Sequence, residues 1–236
     1  MNKIVKQLCP PVLLGGARKI RSALTGTAPV TRSSKTQDLD VYWDPKMADM
    51  LESWGEGNAW NDIQLLLAHR SGKVLDIACG TGKVIEILKR FPAIELHGCD
   101  ISDLLLSRAA QRGIAPDRLT LTDATKMLYA NKSFDFAYSI GSLEHFTEDG
   151  ILAFMRENLR IVNGPTFHMV PMSRDGKDHG WITTSQSYFN NSESWWLNKC
   201  LQIYPKATLL ASSWSDGISV GRWMMCSPQT EQDIGV

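Results

Sequence analysis

The middle of the chain alternates short apolar runs with segments whose apolar residues recur at helical spacing. Strand-like runs lie at 73–78, 94–99, 119–121, 134–140 and 166–170. Helical patterns lie between them at 84–91, 104–112 and 151–162. Parallel neighbours need a crossover about as long as a helix, so this alternation predicts a doubly wound, mostly parallel α/β sheet.

The two ends of the chain extend this pattern in different ways. Further helical patterns lie at 47–54, 60–70 and 195–204, and further strand-like runs at 207–212 and 218–226. The first two helices predict an N-terminal helical extension. The last two strands are joined by so short a turn that an antiparallel hairpin is favoured, which brings the predicted sheet to seven strands.

Composition fits this picture but hides an asymmetry of charge. The sequence has 236 residues, 43% hydrophobic and 21% charged, with 25 basic and 25 acidic side chains. This suits one globular domain, predicted at 41–236, behind a leader and linker at 1–40, and it excludes general disorder. Residues 1–36 carry seven basic groups and no acidic one, which leaves 18 basic and 25 acidic groups in the rest. A nucleic acid is therefore an unfavourable substrate.

The basic leader is a candidate membrane contact. Leu13, Ala17, Ile20 and Leu24 recur at spacings of four, three and four, as on one face of a short amphipathic helix. With the basic groups, this predicts peripheral contact of residues 1–36 with an anionic membrane surface. A disordered or self-docked tail is the alternative, because the leader also contains glycines that weaken a helix.

Other signals favour a cytoplasmic protein, on the cytoplasmic face of the membrane if the leader binds there. No apolar run reaches the ~20 residues of a membrane-spanning helix. Pro10-Pro11 and Gly15-Gly16 interrupt the apolar stretch of the leader, so it does not resemble a secretory signal. The five cysteines are odd in number, widely spaced and without a CxxC pair. They predict reduced thiols and no zinc site, and the histidines show no metal-ligand spacing either.

A glycine turn after the first strand is the most informative stretch. Asp76 precedes Gly80 and Gly82 at the sheet edge where ligands bind in α/β folds. A phosphate-binding P-loop needs Ser or Thr where Val84 stands, and a dinucleotide fingerprint needs a small residue where Ile85 stands. The carboxylate of Asp76 also suits a cationic ligand better than a pyrophosphate.

An apolar strand ending in an acid and followed by xxxGxG resembles the first motif of the class I S-adenosylmethionine-dependent methyltransferases. Asp100 closes the second strand and Asp123 follows the third, at two later positions of that family's pattern, and the resemblance covers most of residues 60–226. It implies a Rossmann-like sheet, S-adenosylmethionine as cofactor and S-adenosylhomocysteine as its product. It also implies that Asp100 binds both ribose hydroxyls, for which a carboxylate is suited.

The resemblance implies further donor-site residues. In the glycine turn these are Asp76, Ala78, Gly80, Thr81 and Gly82. Ile101 would pack on adenine, and Asp123 with the backbone N–H of Ala124 would contact the adenine edge. Ser139 lies on the fourth strand, which borders donor and acceptor in the family.

Two segments are predicted to cover the site. Tyr42 and Trp43 lie where many members of the family fold an N-terminal segment over the methionine moiety, so they are candidates for a partial lid. Simple packing of this segment is the alternative. The long stretch at 171–190 follows the fifth strand, and loops of that length are usually functional, which makes it a candidate acceptor-binding lid.

The implied reaction is in-line displacement at the sulfonium methyl, for which positioning and exclusion of water supply most of the acceleration. His145, after the fourth strand, is the first candidate for a general base, and His179, within 171–190, is the second. For both histidines, a helix cap or a bond to a backbone carbonyl is the structural alternative.

The absence of one motif restricts the class of acceptor. Residues 139–142, Ser-Ile-Gly-Ser, do not match the Asn/Asp-Pro-Pro-Tyr motif of amino-methylating members, which favours a small-molecule O-methyltransferase. The eight tryptophans all lie outside residues 61–180, so an aromatic acceptor site would be built from the N-terminal helices and the region after 171. The leader and tail resemble bacterial methyltransferases of surface-glycan biosynthesis, which implies a lipid-linked or nucleotide-linked glycan; a diffusible metabolite or quinone-like acceptor is the alternative.

Two functions of other classes stay open from the sequence. One is an NAD(P)-dependent oxidoreductase, and the other is a protein that binds S-adenosylmethionine without catalysis.

Overall fold

A computed structural model of the protein describes residues 37, 39–53, 59–184 and 186–228. The leader at 1–36 lies outside the described residues, and so does its predicted membrane contact. No helix in the described ranges is long and apolar enough to cross a bilayer.

Strands form where the apolar runs predict them, and two further short strands form within 171–190. They are β1 (Gly72–Ile77), β2 (Ile94–Asp100), β3 (Leu119–Leu121), β4 (Phe136–Ile140), β5 (Thr166–Ser173), β6 (Trp181–Ile182), β7 (Tyr188–Phe189), β8 (Lys206–Ser215) and β9 (Ser219–Ser227). Within the described chain, seven of them form one sheet in the order β3-β2-β1-β4-β5-β9-β8, and β6 pairs with β7 separately. The first five are parallel, and β9 is antiparallel to both of its neighbours. This confirms the predicted doubly wound sheet with its terminal hairpin.

Helices connect the parallel strands and cover the sheet. They are α1 (Pro45–Leu51), α2 (Ala59–Leu67), α3 (Lys83–Leu88), α4 (Asp103–Gln111), α5 (Glu148–Ile161) and α6 (Glu193–Cys200). Short 3-10 helices lie at Asp40–Trp43, Pro116–Arg118 and Leu143–His145. Ser102, Thr147 and Ser192 start α4, α5 and α6, because each side chain accepts an N–H of the first turn.

Both faces of the sheet are buried. Leu75 of β1 belongs to an apolar cluster with residues of α5 and α6, while Val74 belongs to another cluster with residues of α2 and α3. Successive side chains of a strand point to opposite faces, so β1 reads as a continuous apolar run. The carboxyl ends of β1 to β4 are consequently left as the accessible edge.

The structure moves several predicted boundaries. The fifth strand continues to Ser173, beyond the predicted 170, because β9 pairs with it along its whole length. The last helix ends at Cys200 rather than at Tyr204. The fourth strand begins at Phe136, since Phe134 makes only a single bridge to Val162. The stretch at 171–190, predicted as a long loop, contains the end of β5 and the β6–β7 pair.

Candidate active site

The turn between β1 and α3 places its backbone in unusual conformations. Ala78, Gly80 and Gly82 have φ values of 57°, 54° and 72°, in the left-handed region that favours glycine. The N–H of Cys79 donates to the carbonyl of Cys99 on β2, and the N–H of Gly82 donates back to Cys79. The turn is thus fixed by main-chain bonds, and its backbone lies at the open edge of the sheet.

Gly82 is required for close packing as well as for its φ. A Cβ built on it would lie 2.5 Å from Cδ1 of Ile114 and 2.9 Å from Cβ of Ala109, whereas one built on Gly113, whose φ is 76°, would meet nothing within 4 Å. Gly82→Ala is expected to lower the free energy of unfolding by about 2–4 kcal/mol through backbone strain and overpacking.

Gly113→Ala is the matched control for that variant, since it bears the backbone strain alone, and about 1 kcal/mol is expected. Urea titration of both variants measures the difference. Equal losses would show that contact with α4 does not restrict Gly82.

The helix after the turn packs closely on β2 without a third glycine of its own. Ile85 is buried, and a Cβ built on Gly98 of β2 would lie 2.7 Å from its Cδ1. The glycine that permits this close packing is therefore on the strand β2, and the helix α3 carries the large Ile85. This arrangement differs from the dinucleotide fingerprint, in which the helix supplies the glycine.

Asp100 is held at the end of β2 by main-chain donors. Its Oδ2 accepts the N–H of Gly80 at 2.9 Å, and its Oδ1 accepts the N–H of Ser102 at 2.9 Å. Burial raises the pKa of the Asp100 carboxyl, and these N–H bonds oppose that rise. Each oxygen still has a lone pair for a ligand hydroxyl.

Asp76 is the second carboxyl group of the site. It is buried, and Oδ2 accepts a hydrogen bond from the hydroxyl of Tyr138 on β4 at 2.9 Å. Burial raises the pKa of Asp76 well above its ordinary value, while the Tyr138 bond and the nearby Asp100 act in opposite directions.

The N-terminal segment is tied to the Asp100 loop. Ser102 Oγ donates to the carbonyl of Tyr42 at 2.7 Å, and Trp43 Nε1 donates to Asp103 Oδ1 at 2.8 Å. The hydroxyl of Tyr42 accepts a bond from Gln186 Nε2 at 3.2 Å, and Gln186 lies between β6 and β7. The two segments predicted to cover the site therefore meet above it.

These elements line a cavity of about 350 Å³ at the carboxyl ends of β1, β2 and β4, the larger of two cavities that adjoin each other. Of the residues predicted for the donor site, its walls contain Tyr42, Asp76, Ala78, Gly80, Thr81, Asp100, Ile101, Asp123 and Ala124. Three predicted residues do not line it. Gly82 packs against Ile114 and Ala109. Ser139 is buried, with its hydroxyl 2.9 Å from Nδ1 of His168. The side chain of Trp43 is 43% exposed.

Asp123 forms a turn in the wall of the larger cavity. Its Oδ1 accepts the N–H and the hydroxyl of Thr125, each at 2.7 Å, as in an Asx turn. It also lines the larger cavity beside Ala124, where the family resemblance predicted it.

A smaller cavity of about 100 Å³ adjoins the larger one. Its apolar walls include Met50, Leu51, Ile140, Met169, Pro171, Tyr188 and Trp214, and its polar walls include Glu144, His145, Gln186 and Asp216. Leu51, Ile140, Gly141 and Gln186 line both cavities. Among the described tryptophans, Trp214 lines this cavity and Trp60 lines the larger one.

The two candidate bases lie in different surroundings. His145 lines the smaller cavity, and its Nδ1 lies 2.9 Å from the carbonyl of Ser187, which can only accept, so that Nδ1 carries the hydrogen. His179 lies outside the lining of both cavities, half-exposed, with Nε2 2.8 Å from Asp175. The structure thus brings His145, and not His179, to the cavities.

Sequence reasoning did not nominate Glu144 or Gln186. Glu144 is buried within the 3-10 helix Leu143–His145, and burial raises its pKa to about 8. Its Oε1 lies 3.7 Å from Nε2 of His145. The only available signal was the position of Glu144 after β4, because the 3-10 helix that contains it packs against β5 and β7, both distant in sequence.

The larger cavity fits S-adenosylmethionine. The Asp100 carboxylate suits the two ribose hydroxyls. Ile101 and Ala124 provide an apolar wall for a flat ring, and the carboxyl of Asp76 lies in the same cavity, as suits a cation.

Comparison with known proteins agrees with this geometry. Residues 74–164 match the methyltransferase domain family. A methyltransferase of Streptomyces halstedii, GfsG, is 31% identical over 51% of this chain and 45% of its own length. A demethylmenaquinone methyltransferase of Thermotoga maritima is 35% identical over 35% of this chain and 37% of its own. The chain thus spans less than half the length of these curated relatives.

A solved structure shows the same fold. The 1,6-didemethyltoxoflavin-N1-methyltransferase of Burkholderia thailandensis, with bound S-adenosylhomocysteine, superposes with a TM-score of 0.57 at 18% identity, over 77% of this chain and 87% of its own. The glycine turn, the Asp100 carboxylate and the matched residues 74–164 together support a class I S-adenosylmethionine-dependent methyltransferase.

Proposed function

We propose that this protein transfers the methyl group of S-adenosylmethionine to a hydroxyl oxygen of a small-molecule acceptor. One observation carries the proposal: the cavity that contains Asp100 adjoins a second cavity, and Ile140 and Gly141 at the end of β4 line both. Two adjoining cavities are what a direct transfer between two bound molecules requires.

The residues have distinct roles in this proposal. The bound cofactor supplies an electrophilic methyl group. Asp100 and the glycine turn hold and orient the donor, while Tyr42 and Gln186 close over it and exclude water. His145, predicted as a base from the sequence, lines the smaller cavity, in which a side chain must receive the acceptor's proton.

The alternatives from the sequence are less well supported. An NAD(P)-dependent oxidoreductase does not suit a helix with Ile85 at the third glycine position. A non-catalytic donor-binding protein would have no need of a second cavity containing Glu144 and His145.

The test combines binding and turnover. Thermal unfolding is measured with S-adenosylmethionine, S-adenosylhomocysteine, NAD and NADP, and a ligand at 100 times its dissociation constant adds about 2.7 kcal/mol. We expect stabilisation by the first two only, and release of S-adenosylhomocysteine with an acceptor. Stabilisation by a nicotinamide cofactor alone would contradict the proposal.

The leader supports a finer proposal, namely that residues 1–36 bring a cytoplasmic enzyme to the membrane face and to a lipid-embedded acceptor. Changing Arg18, Lys19 and Arg21 to glutamine in the full chain should reduce co-sedimentation with anionic phosphatidylglycerol vesicles by about tenfold, at about 1 kcal/mol per charge with partial compensation. Equal sedimentation of the two proteins would exclude an electrostatic contact through these residues.

A further inference from the structure

The smaller cavity contains a buried carboxyl oxygen with no partner. Oε2 of Glu144 is inaccessible and, among the described residues, receives no hydrogen bond, while Oε1 is 3.7 Å from Nε2 of His145, too far for one. Buried polar groups are normally paired, and an unpaired one costs about 1–3 kcal/mol. An acceptor that donates a hydrogen bond to Glu144 would remove this cost.

The charge of the cavity restricts the acceptor. The described residues that line it include the carboxyl groups of Glu144 and Asp216 but no lysine or arginine. Burying a carboxylate or phosphate of an acceptor beside these groups would leave the anion without a counter-charge, at high cost. An uncharged acceptor has no such cost.

The walls and the size of the cavity restrict it further. Met169, Pro171 and Ile140 offer no hydrogen bonds from their side chains, whereas Tyr188 and Trp214 offer aromatic surfaces. A sugar ring would leave several hydroxyls unpaired against such walls. The volume of about 100 Å³ is near that of cavities that admit one benzene-sized ring.

We propose that the smaller cavity binds an uncharged phenolic ring and that Glu144 is the catalytic residue that accepts the proton of the hydroxyl being methylated. This inference rests on the proposed function. The sulfur–methyl bond breaks as the oxygen–methyl bond forms, the sulfonium electron pair returns to sulfur, and the hydroxyl proton passes to the ionised Glu144. After the transfer, the sulfur of the donor and the carboxyl group of Glu144 are therefore both uncharged.

His145 is a positioning residue for this step. Its Nδ1 is fixed by the carbonyl of Ser187, so Nε2 is directed to the side of Glu144. The other titratable groups near Glu144 are the phenols of Tyr42 and Tyr188, and Asp216 lies across the cavity. None of these side chains can carry a positive charge, so none of them favours ionisation of Glu144 before the cationic donor binds.

The first experiment tests the acceptor class. Monohydroxy- and dihydroxybenzenes are compared with the corresponding hydroxybenzoates and with a nucleotide-linked sugar, in the presence of S-adenosylmethionine for turnover and of S-adenosylhomocysteine for binding. We expect saturable quenching of tryptophan fluorescence by the uncharged phenols, lost in Trp214→Phe, and methylated product from at least one of them. Binding or turnover restricted to the hydroxybenzoates or the sugar would overturn the inference, as would no binding of any phenol.

The second experiment tests Glu144 itself with the best phenol. Glu144→Gln should lower kcat/KM by about 100-fold or more, as for loss of a general base. It should leave the affinity for S-adenosylhomocysteine within twofold, because Glu144 does not line the larger cavity. Asp149→Asn, an exposed carboxyl in the first turn of α5, is the matched control and should retain full activity.

The pH profile separates catalysis from structure. For the wild type, kcat/KM should rise with pH to a plateau above about 8, and the rise should be absent in Glu144→Gln, while Glu144→Asp should recover part of the rate with its own pH dependence. An unchanged profile in Glu144→Gln would refute the base assignment. Failure to bind S-adenosylhomocysteine in the wild type would instead refute the proposed function.

Discussion

Asp100→Ala is expected to abolish the stabilisation of the protein by S-adenosylmethionine and S-adenosylhomocysteine. The carboxylate lies in the wall of the larger cavity with each oxygen fixed by one main-chain N–H. A hydrogen bond to a charged group contributes about 1.5–3 kcal/mol, so loss of two ribose contacts should weaken binding by about 100-fold or more. Isothermal titration calorimetry measures this directly.

Asp100 also holds Gly80 and Ser102, so the alanine variant alone would not separate binding from loop structure. Asp100→Asn keeps one acceptor oxygen and should retain the fold while losing much of the affinity. Asp117→Ala, in the 3-10 helix Pro116–Arg118, removes a carboxyl outside the walls of both cavities and should bind as the wild type does. Wild-type affinity in both Asp100 variants would show that the donor does not use this carboxylate.

The sheet was predictable because its signals are local. The parallel strands are short apolar runs, three of them followed by a helical pattern, and the turn around Asp216 is too short for anything but a hairpin. The β6–β7 pair was missed because two-residue strands carry no periodicity. The extension of β5 to Ser173 was missed because it depends on pairing with β9, more than forty residues later.

The donor site could be predicted from the sequence and the acceptor site could not, again because only the first has local signals. Asp76, Gly80 and Asp100 belong to strand ends whose positions the sequence defines, so their meeting at one edge follows from the topology. Glu144 is buried in a 3-10 helix that packs against β5 and β7, and the sequence gives no local sign of that. Gly98 did carry a signal, since a glycine inside a strand indicates close approach of another element.

Glu144→Gln is expected to become increasingly more stable than the wild type as pH rises from about 4.5 to about 8. The ordinary pKa of this carboxyl is 4.5, and burial raises it to about 8 in the folded protein. Between these values the unfolded chain releases the proton and the folded chain retains it, so the wild type loses about 1.4 kcal/mol per pH unit. Above pH 8 both states are ionised and the difference is constant, about 5 kcal/mol in all.

Urea unfolding of both proteins at each pH measures this difference, and the shape of the curve identifies Glu144 even if glutamine fits the cavity imperfectly. His145 is close enough to couple, so the comparison is repeated in a His145→Gln background. Glu157→Gln is a control of opposite sign: Arg160 holds the pKa of Glu157 below its ordinary range, so this variant should lose stability at neutral pH and approach the wild type in acid. A flat difference curve for Glu144→Gln would mean that Glu144 is already ionised in the free protein, and the burial from which its catalytic role was inferred would then be relieved by water.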